Sequence, residues 1–450
     1  MKSRINWSLL LAGAFSNTQI NIGGNIGISE FLFFLIAPFV FVADMEQLKK
    51  DGFFPLTMLA LAVVGGGGLS GWLNGTPFPL FMKGFATTYS VFACVVVFHR
   101  LLRRDLDGVK WVIMGFAISQ IINIFVFHYG AEGAAASRMA SDSSMMEVAK
   151  TMSEGTLFWV NRATHWLMLP IRGWYLTTPA WYSVFIPLLL SAYAVAFTGS
   201  GRSAALGTLG GCVLIMIGGK SIRRMKSISK HFMSFCVLAV VLAFAAKATY
   251  TQLGRMGMLN EAQTKKFMEQ TKGGRTTGML QLLISGRVEF FSGLYAAIRK
   301  PVVGYGPWPV DRDGLYFDFL EKYGDIEDWE TYETVKKERL YSSSRYNWLP
   351  SHSFIVEFWQ WYGIAGLIFW IYILRQVYVY MKRDIYVVPQ WFGYLAVGAP
   401  PLLWSIFFSP FGSRMLFAFY FVVLLFNRAI AEGRVRLPDK MIRDMSKYAR

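Results

Sequence analysis

Residues 27–43 have the sequence GISEFLFFLIAPFVFVA, and this stretch decides the class of fold. It holds almost no charge, and its length is close to the roughly 20 residues that an α-helix needs to cross about 30 Å of hydrocarbon. Stretches of the same character recur at 111–127 and 180–198. A backbone at that depth must satisfy its own hydrogen bonds, and none of these stretches alternates as a barrel strand does. The sequence therefore predicts an all-α integral membrane protein.

The composition agrees with a membrane protein. Of the 450 residues, 54% are hydrophobic and 16% are charged, whereas soluble chains carry about 25% charged residues. The net charge of +17 is compatible with a nucleic-acid partner, but the basic residues cluster in short segments between apolar stretches, such as 100–110 and 220–230. This is the positive-inside pattern, which orients membrane helices. We therefore expect the lipid bilayer as a partner and no nucleic acid.

The apolar stretches predict about twelve transmembrane helices. The difficult stretch is 156–175, which contains Arg162 and Arg172; we count it as span six, because only then do all basic loops and both termini lie on the cytoplasmic side. A long polar loop, 249–352, then lies on the outer side between spans nine and ten. The predicted spans are 8–21, 27–43, 53–72, 78–98, 111–129, 156–175, 180–198, 203–218, 231–248, 354–378, 391–408 and 415–426.

Arg202 is a basic residue on the expected outer side, where the short loops otherwise hold little charge. It follows Thr198-Gly199-Ser200-Gly201, and these glycines let a ligand approach the backbone closely. The helix that begins here has free N–H groups at its start. A helix N-terminus with an arginine is typical of an anion site, although a lipid-facing arginine produces the same pattern.

A second arginine, Arg287, follows Ser285-Gly286 at the start of a predicted helix over 286–298. At about 100° per residue, Arg287 lies in the middle of an apolar stripe, which we expect to be the buried face. An arginine on a buried face needs an anionic partner, which is either an internal carboxylate (Glu289 or Glu357) or a ligand. The stripe consists of Phe290, Phe291, Leu294 and Ile298.

His352 lies in Leu349-Pro350-Ser351-His352-Ser353, directly before predicted span ten. It is the histidine expected where the long loop re-enters the membrane at a helix N-terminus. The helix dipole there favours the neutral imidazole, which accepts a proton at one nitrogen and donates a hydrogen bond from the other. A histidine that only caps the helix would occupy the same position, so both roles are open.

The loop also contains the turn-rich segment Pro301 to Pro309, in which Tyr305 and Trp308 suit the wall of a sugar-binding pocket. We count Glu357 with this pocket wall as well. The following Asp311-Arg312-Asp313 is similar to the metal signature of nucleotide-sugar transferases. Two acids at this spacing are common in loops, and no nucleotide sugar is expected outside the cytoplasm, so we predict no metal ligand and no cofactor.

The order of these features resembles the O-antigen ligase and O-antigen polymerase superfamily, over about 180–425. Because each motif is short, the resemblance depends on order, spacing and sidedness together. Many members carry Asn after the histidine; this chain has Ser353, which leaves open the group that supports the imidazole. The matching motifs are Ser200-Gly201-Arg202, Ser285-Gly286-Arg287, the turn 301–306, and His352 followed by Gly363-Ile364-Ala365-Gly366.

The resemblance implies a GT-C-like membrane glycosyltransferase of the bacterial inner membrane, metal-independent and inverting. It implies transfer of a glycan from undecaprenyl diphosphate to an acceptor glycan or the lipid A core on the periplasmic face. Arg202 and Arg287 would bind the diphosphate, and His352 would orient or deprotonate the acceptor hydroxyl. The expected regions are an N-terminal part (1–179), a ligase-like core (180–427) containing the loop 249–352, and a basic cytoplasmic tail (428–450).

Two other classes of protein compete with this interpretation. A twelve-span transporter or flippase of a polysaccharide precursor would show internal repeats and short loops, whereas this chain places its unusual charges in a long loop. A cell-wall glycosyltransferase of the shape-and-division type requires an acidic catalytic residue in an outer loop, for which Asp311 or Asp313 is available. The sequence does not separate a ligase from a polymerase.

Overall fold

The fold is known from a computed structural model. Predicted spans six and seven, most of span eight, Arg202 and Arg287 lie outside the residues that it describes. The described residues are 5–16, 19–21, 25–122, 213–218, 221–258, 264, 267, 288–311, 313–323, 333, 334, 336, 349, 351–408 and 414–445.

This part of the chain is helical apart from one short hairpin, and six of its helical segments are long and apolar enough to cross a membrane. Those six are Ile28–Asp51, Phe54–Leu73, Phe78–Arg104, Ile364–Asp384, Pro389–Phe408 and Arg414–Ala431. In chain order the elements are α1 (Trp7–Ala14), β1 (Gln19–Asn21), β2 (Asn25–Gly27), α2 (Ile28–Asp51), α3 (Phe54–Leu73), α4 (Phe78–Arg104), α5 (Val109–Ile122), α6 (Ile222–Lys230), α7 (Phe232–Arg255), α8 (Val288–Arg299), α9 (Leu315–Tyr323), α10 (Phe354–Tyr362), α11 (Ile364–Val379), α12 (Phe392–Phe408), α13 (Arg414–Ala431) and α14 (Asp439–Met445).

The prediction that 8–21 forms the first span is wrong. α1 ends after eight residues, a length of about 12 Å, and β1 then pairs antiparallel with β2. α1 packs along α5 instead, where Gly13 and Gly115 let the two backbones touch; a Cβ on Gly13 would overlap the Val112 carbonyl. The sequence contains a signal for the hairpin, because Gly23-Gly24-Asn25 is a turn-forming segment.

The prediction that 354–378 forms one span is also wrong, because α10 and α11 form a helical hairpin. The turn is at Gly363, whose φ of 61° is a conformation that side chains strongly disfavour. The two helices lie side by side and antiparallel: the ring of Phe354 is 5.1 Å from that of Trp370, and the Phe358 carbonyl lies against Gly366. Only α11, continued by a π turn to Asp384, is long enough to cross.

The basic segments of the described chain meet at one end of the bundle, called here the basic end. Arg103 Nε donates to buried Asp51 (2.9 Å), the last residue of α2. The Ser229 hydroxyl of α6 donates to the Lys382 carbonyl after α11. The predicted tail 428–450 is not free over its described part, because Lys440 pairs with Asp107 (2.8 Å) and the tail packs on this end. The topology that counts 156–175 as a span also predicts these basic segments on one side of the membrane.

The opposite end, called here the loop end, is where the long loop attaches. Its segment 301–309 crosses the turn between α10 and α11, with the Tyr305 N–H donating to the Gln360 carbonyl (2.7 Å). The Asn74 side chain, in the turn between α3 and α4, donates to the Gly304 carbonyl (3.1 Å). This turn therefore fixes the loop to the bundle.

A buried ion pair ties α13 to α2. Arg414, the first residue of α13, contacts Glu30 through Nε (2.7 Å) and Nη2 (3.2 Å) and donates through Nη1 to the Thr87 hydroxyl of α4 (3.2 Å). The Glu30 side chain is 5% exposed, so the carboxylate depends on this arginine for its charge balance. The sequence interpretation treated 27–43 as nearly uncharged and placed the start of span twelve one residue after Arg414.

Candidate functional site

His352 lies two residues before α10, below the rim of the loop end. The first ring of α10, Phe354, packs against Trp370 of α11 and against Phe417 of α13 (5.0 Å). Trp370 is six residues into α11, so this level is about 9 Å further from the loop end than the turn at Gly363. The sequence placed His352 where the loop meets the membrane surface, whereas the helical hairpin carries it into the depth range of the spanning helices.

The imidazole is nevertheless accessible. Its side chain is 45% exposed, while its Nδ1 atom is buried and lies 2.7 Å from Oε2 of Glu289 on α8. The exposed part of the side chain therefore excludes Nδ1. The structure brings together a carboxylate and a histidine that are distant in sequence.

Glu289 reaches His352 because it lies on the packed face of α8. At about 100° per residue it shares this face with Ser292, Gly293 and Ala296, which are all buried. Small residues there let α8 approach α10 closely. The Glu289 side chain is 46% exposed, so burial does not force it to pair, and its contact with His352 follows from its position at the start of this face.

The prediction that the apolar stripe of α8 is its buried face is wrong. Ile298 is 58% exposed, and Phe290, Phe291 and Leu294 are only partly buried. The stripe lies about opposite the small residues that contact α10. The face of α8 that packs on α10 is therefore the face with the smallest side chains and not the most hydrophobic face. Of the two internal carboxylates considered for Arg287, Glu289 contacts His352 and Glu357 is buried in the first turn of α10.

Ser353 does not support the imidazole. Its hydroxyl oxygen accepts from the Val356 N–H (3.3 Å) as the N-cap of α10, and its hydroxyl donates to the Ile406 carbonyl of α12 (2.8 Å). The residue that departs from the family pattern therefore anchors the helix start to a spanning helix. Glu289 supplies the contact to the ring.

The two aromatic residues expected in a pocket wall are both used in attaching the loop. Tyr305 is only 9% exposed and packs in a small core with Ala296, Leu315 and Leu349; burial raises the pKa of its phenol, which favours the neutral hydroxyl. The ring of Trp308 is half-buried, with Lys83 Nζ 3.4 Å from its centroid and Trp361 packed beside it. Tyr305 is thus placed to support the loop and not to face a ligand, whereas Trp308 keeps a partly open surface.

Asp311 holds the start of α9. Its carboxylate oxygens accept from the N–H groups of Leu315 (2.7 Å) and Tyr316 (3.0 Å). Burial raises the pKa of this carboxyl, and the two backbone donors oppose that shift. The first acid of the Asp-x-Asp motif therefore has a structural use in capping a loop helix, which is the ordinary role of such a residue.

The family comparison agrees with the resemblance seen in the sequence. Residues 186–371 match the model of the O-antigen ligase family, Wzy_C, and this range contains α8, the segment 301–309, His352 and α10. No curated protein matches the chain. The chain is a helical membrane protein that carries an O-antigen ligase family domain, and this family consists of ligase- and polymerase-type enzymes of glycosyl transfer.

Proposed function

We propose that this chain transfers a glycan from undecaprenyl diphosphate to an acceptor sugar on the periplasmic face of the bacterial inner membrane. The acceptor is the lipid A core for a ligase, or another repeat unit for a Wzy-type polymerase. The observation that carries the proposal is an imidazole that is 45% exposed, yet lies about 9 Å below the turn of the α10–α11 hairpin.

A reactive group at that depth suits a substrate that is itself anchored in the membrane. A polyprenyl diphosphate keeps its chain among the apolar helices and its charged head at the boundary. Because Nδ1 is buried, Nε2 is the nitrogen that we assign to the acceptor hydroxyl. The basic end carries the clusters that the positive-inside rule assigns to the cytoplasm, so the loop end would face the periplasm.

The proposed reaction is a single displacement. The acceptor oxygen forms a bond to the anomeric carbon while the bond from that carbon to the diphosphate oxygen breaks. The hydroxyl proton passes to Nε2 of His352, and undecaprenyl diphosphate leaves with the bonding electron pair. Attack from the face opposite the leaving group would invert the anomeric configuration.

Charge that develops on the diphosphate needs cationic stabilisation. We assign this to Arg202 and Arg287, because a guanidinium donates two parallel hydrogen bonds to phosphate oxygens. Arg287 directly precedes Val288, the first residue of α8, and Glu289 in the same turn touches His352. The chain itself therefore joins the motif of Arg287 to the histidine. With two arginines at the diphosphate, transfer would need no metal ion and should persist in a chelator.

The test is transfer of glycan from undecaprenyl diphosphate by the purified full chain in lipid nanodiscs. We expect His352→Ala and Arg287→Ala to reduce the rate by about 100-fold or more, and Arg287→Lys to recover little of it, because an ammonium has no planar fork. The matched controls are His231→Ala, an exposed histidine at the basic end, and Arg299→Ala, at the far end of α8. Full activity of His352→Ala or Arg287→Ala would overturn the proposed role of that residue.

A deletion strain separates the two subtypes. Polymer that stays on its polyprenyl carrier would identify a ligase, and a core carrying a single repeat unit would identify a polymerase. Unchanged surface polysaccharide would contradict both.

A further inference from the structure

We propose that Glu289 is a positioning residue that holds His352 with its proton on Nδ1 and its lone pair on Nε2. The inference rests on the proposed function, because it assigns the group through which His352 would act as a base. Glu289 would not touch the substrate. It would act by fixing the tautomer and the orientation of the ring.

The contact itself is specific to one nitrogen. Oε2 of Glu289 is 2.7 Å from Nδ1, which is an ion-pair distance, and nearly half of the histidine side chain is exposed. Nδ1 itself is buried and makes no hydrogen bond of regular angle with the described residues, so the carboxylate acts on this nitrogen through its charge and its proximity. A carboxylate accepts hydrogen bonds and cannot donate them when ionised, so it favours the tautomer that carries hydrogen on Nδ1. In that tautomer Nε2 has a lone pair, which is the form needed to accept a proton.

Within the described part of the chain, the nearby charges have other positions or partners. The other acid close to the ring in sequence is Glu357, which is 6% exposed and lies in the first turn of α10. Arg414 of α13, one turn before the ring contact at Phe417, is committed to Glu30 through two of its nitrogens.

The hairpin geometry explains why a second residue is needed. His352 precedes the helix, so α10 does not itself fix the ring, and Ser353 directs its hydroxyl to the Ile406 carbonyl. The side chain of Glu289 instead comes from a helix packed on α10 through small residues. When Nε2 takes the acceptor proton, the ring becomes an imidazolium, and the adjacent carboxylate stabilises that positive charge as it forms.

The test compares three substitutions in the transfer assay with full-length protein. Glu289→Asp keeps the charge, and we expect kcat to remain within about tenfold of the original value. Glu289→Gln keeps the size but removes the charge and adds an N–H donor that favours the other tautomer, and we expect kcat to fall by about 100-fold with the donor KM changed less than about threefold. The kcat of Glu289→Ala should lie between those of the Asp and Gln variants or equal that of the Gln variant. The matched control is Glu321→Gln. It removes a carboxylate of α9 that pairs with Lys336, and it should keep full activity.

The rank order distinguishes positioning from packing. A residue that only fills space or links two helices would tolerate the isosteric Gln better than the shorter Asp. Activity of Glu289→Gln equal to or above that of Glu289→Asp would therefore overturn the inference.

A spectroscopic measurement tests the same point without turnover. In protein labelled with ¹⁵N-histidine, the His352 signals are identified by their loss in His352→Ala. We expect the proton on Nδ1 in the original chain and a shift toward Nε2–H in Glu289→Gln; an unchanged tautomer would contradict the inference. If His352→Ala is inactive while Glu289→Gln is fully active, only the role of Glu289 fails. If His352→Ala is active, the proposed base itself fails.

Discussion

Removing one partner of the ion pair between Glu30 and Arg414 should lower the free energy of unfolding. Replacing both partners by apolar side chains should leave that free energy nearly unchanged. The guanidinium contacts the carboxylate through Nε (2.7 Å) and Nη2 (3.2 Å), with the two side chains 5% and 20% exposed. Removing one partner of a buried pair leaves the other charge without compensation, at a cost of about 3–5 kcal/mol. Replacing both by apolar side chains of similar volume removes both desolvation costs together with the attraction.

For Glu30→Met the expected loss is at the lower end, about 3 kcal/mol, because Arg414 is partly exposed and keeps the Thr87 hydroxyl as an acceptor. For Arg414→Met we expect about 3–5 kcal/mol, since among the described residues the carboxylate keeps the Gly27 N–H (3.3 Å) as a neutral donor but loses its cation. The double variant should lie within about 1 kcal/mol of the original chain. The sum of the two single losses therefore exceeds the double loss by about 5 kcal/mol or more.

The measurement is chemical unfolding of the detergent-solubilised protein, followed by tryptophan fluorescence and analysed by linear extrapolation. The free energy of unfolding must depend on denaturant concentration with the same slope in all four proteins before the values are compared. Additive losses, with the double variant about 6 kcal/mol or more below the original, would refute the reasoning, because they would mean that the two side chains do not depend on each other.

Two further predictions concern the supports of the site. Ser353→Ala should lower the free energy of unfolding by about 1–2 kcal/mol, because the helix cap and the hydrogen bond to Ile406 are both lost. Ser353→Asn should recover the part that comes from the cap. Unfolding measurements in which Asn is no more stable than Ala would contradict the cap assignment. Gly363→Ala should cost about 1–3 kcal/mol, because its φ is positive and its Cβ would overlap the Val302 carbonyl; limited proteolysis should then cleave the long loop faster, and an unchanged cleavage rate would show that this turn does not anchor the loop.

Spanning helices with apolar surfaces on most sides were predictable from the sequence. Predicted spans 53–72 and 78–98 correspond to α3 and α4, and 391–408 corresponds to α12, with differences only at the ends. Length and hydropathy suffice there, because no water is available to satisfy an interrupted backbone. The break at Gly363 was not predictable in this way, since both arms of the hairpin are apolar and only the conformation of one glycine separates them.

The ion pair of Glu30 shows a different limit. A single acid in the first turn of an apolar helix is typical of a helix end at the boundary, and hydropathy gives it little weight. Its partner, Arg414, is separated from it by most of the chain. A contact of this kind depends on which helices are neighbours, and the sequence alone left that arrangement open.

The role of Glu289 shows why the site was predictable only in part. Two sectors of α8 were candidates for the packed face: the stripe around Leu294, and the small-residue sector around Ser292. Hydrophobicity favoured the first, but in a membrane lipid is as apolar as leucine, so helices gain more by packing small residues closely. The buried sector therefore contains Ser292, Gly293 and Ala296, and Ile298 is exposed. Glu289 begins the buried sector with its side chain 46% exposed.

This arrangement gives the two charged residues of the motif different tasks. Glu289 contacts the histidine, whereas the sequence pattern predicts Arg287 in the apolar stripe that ends at Ile298. A cation in an apolar stripe at the membrane boundary would suit a lipid-linked anion, and a carboxylate beside the histidine would suit orienting a base. The first turn of α8 would then connect the donor and acceptor sides of one reaction, which explains why the motif places its two charges two residues apart.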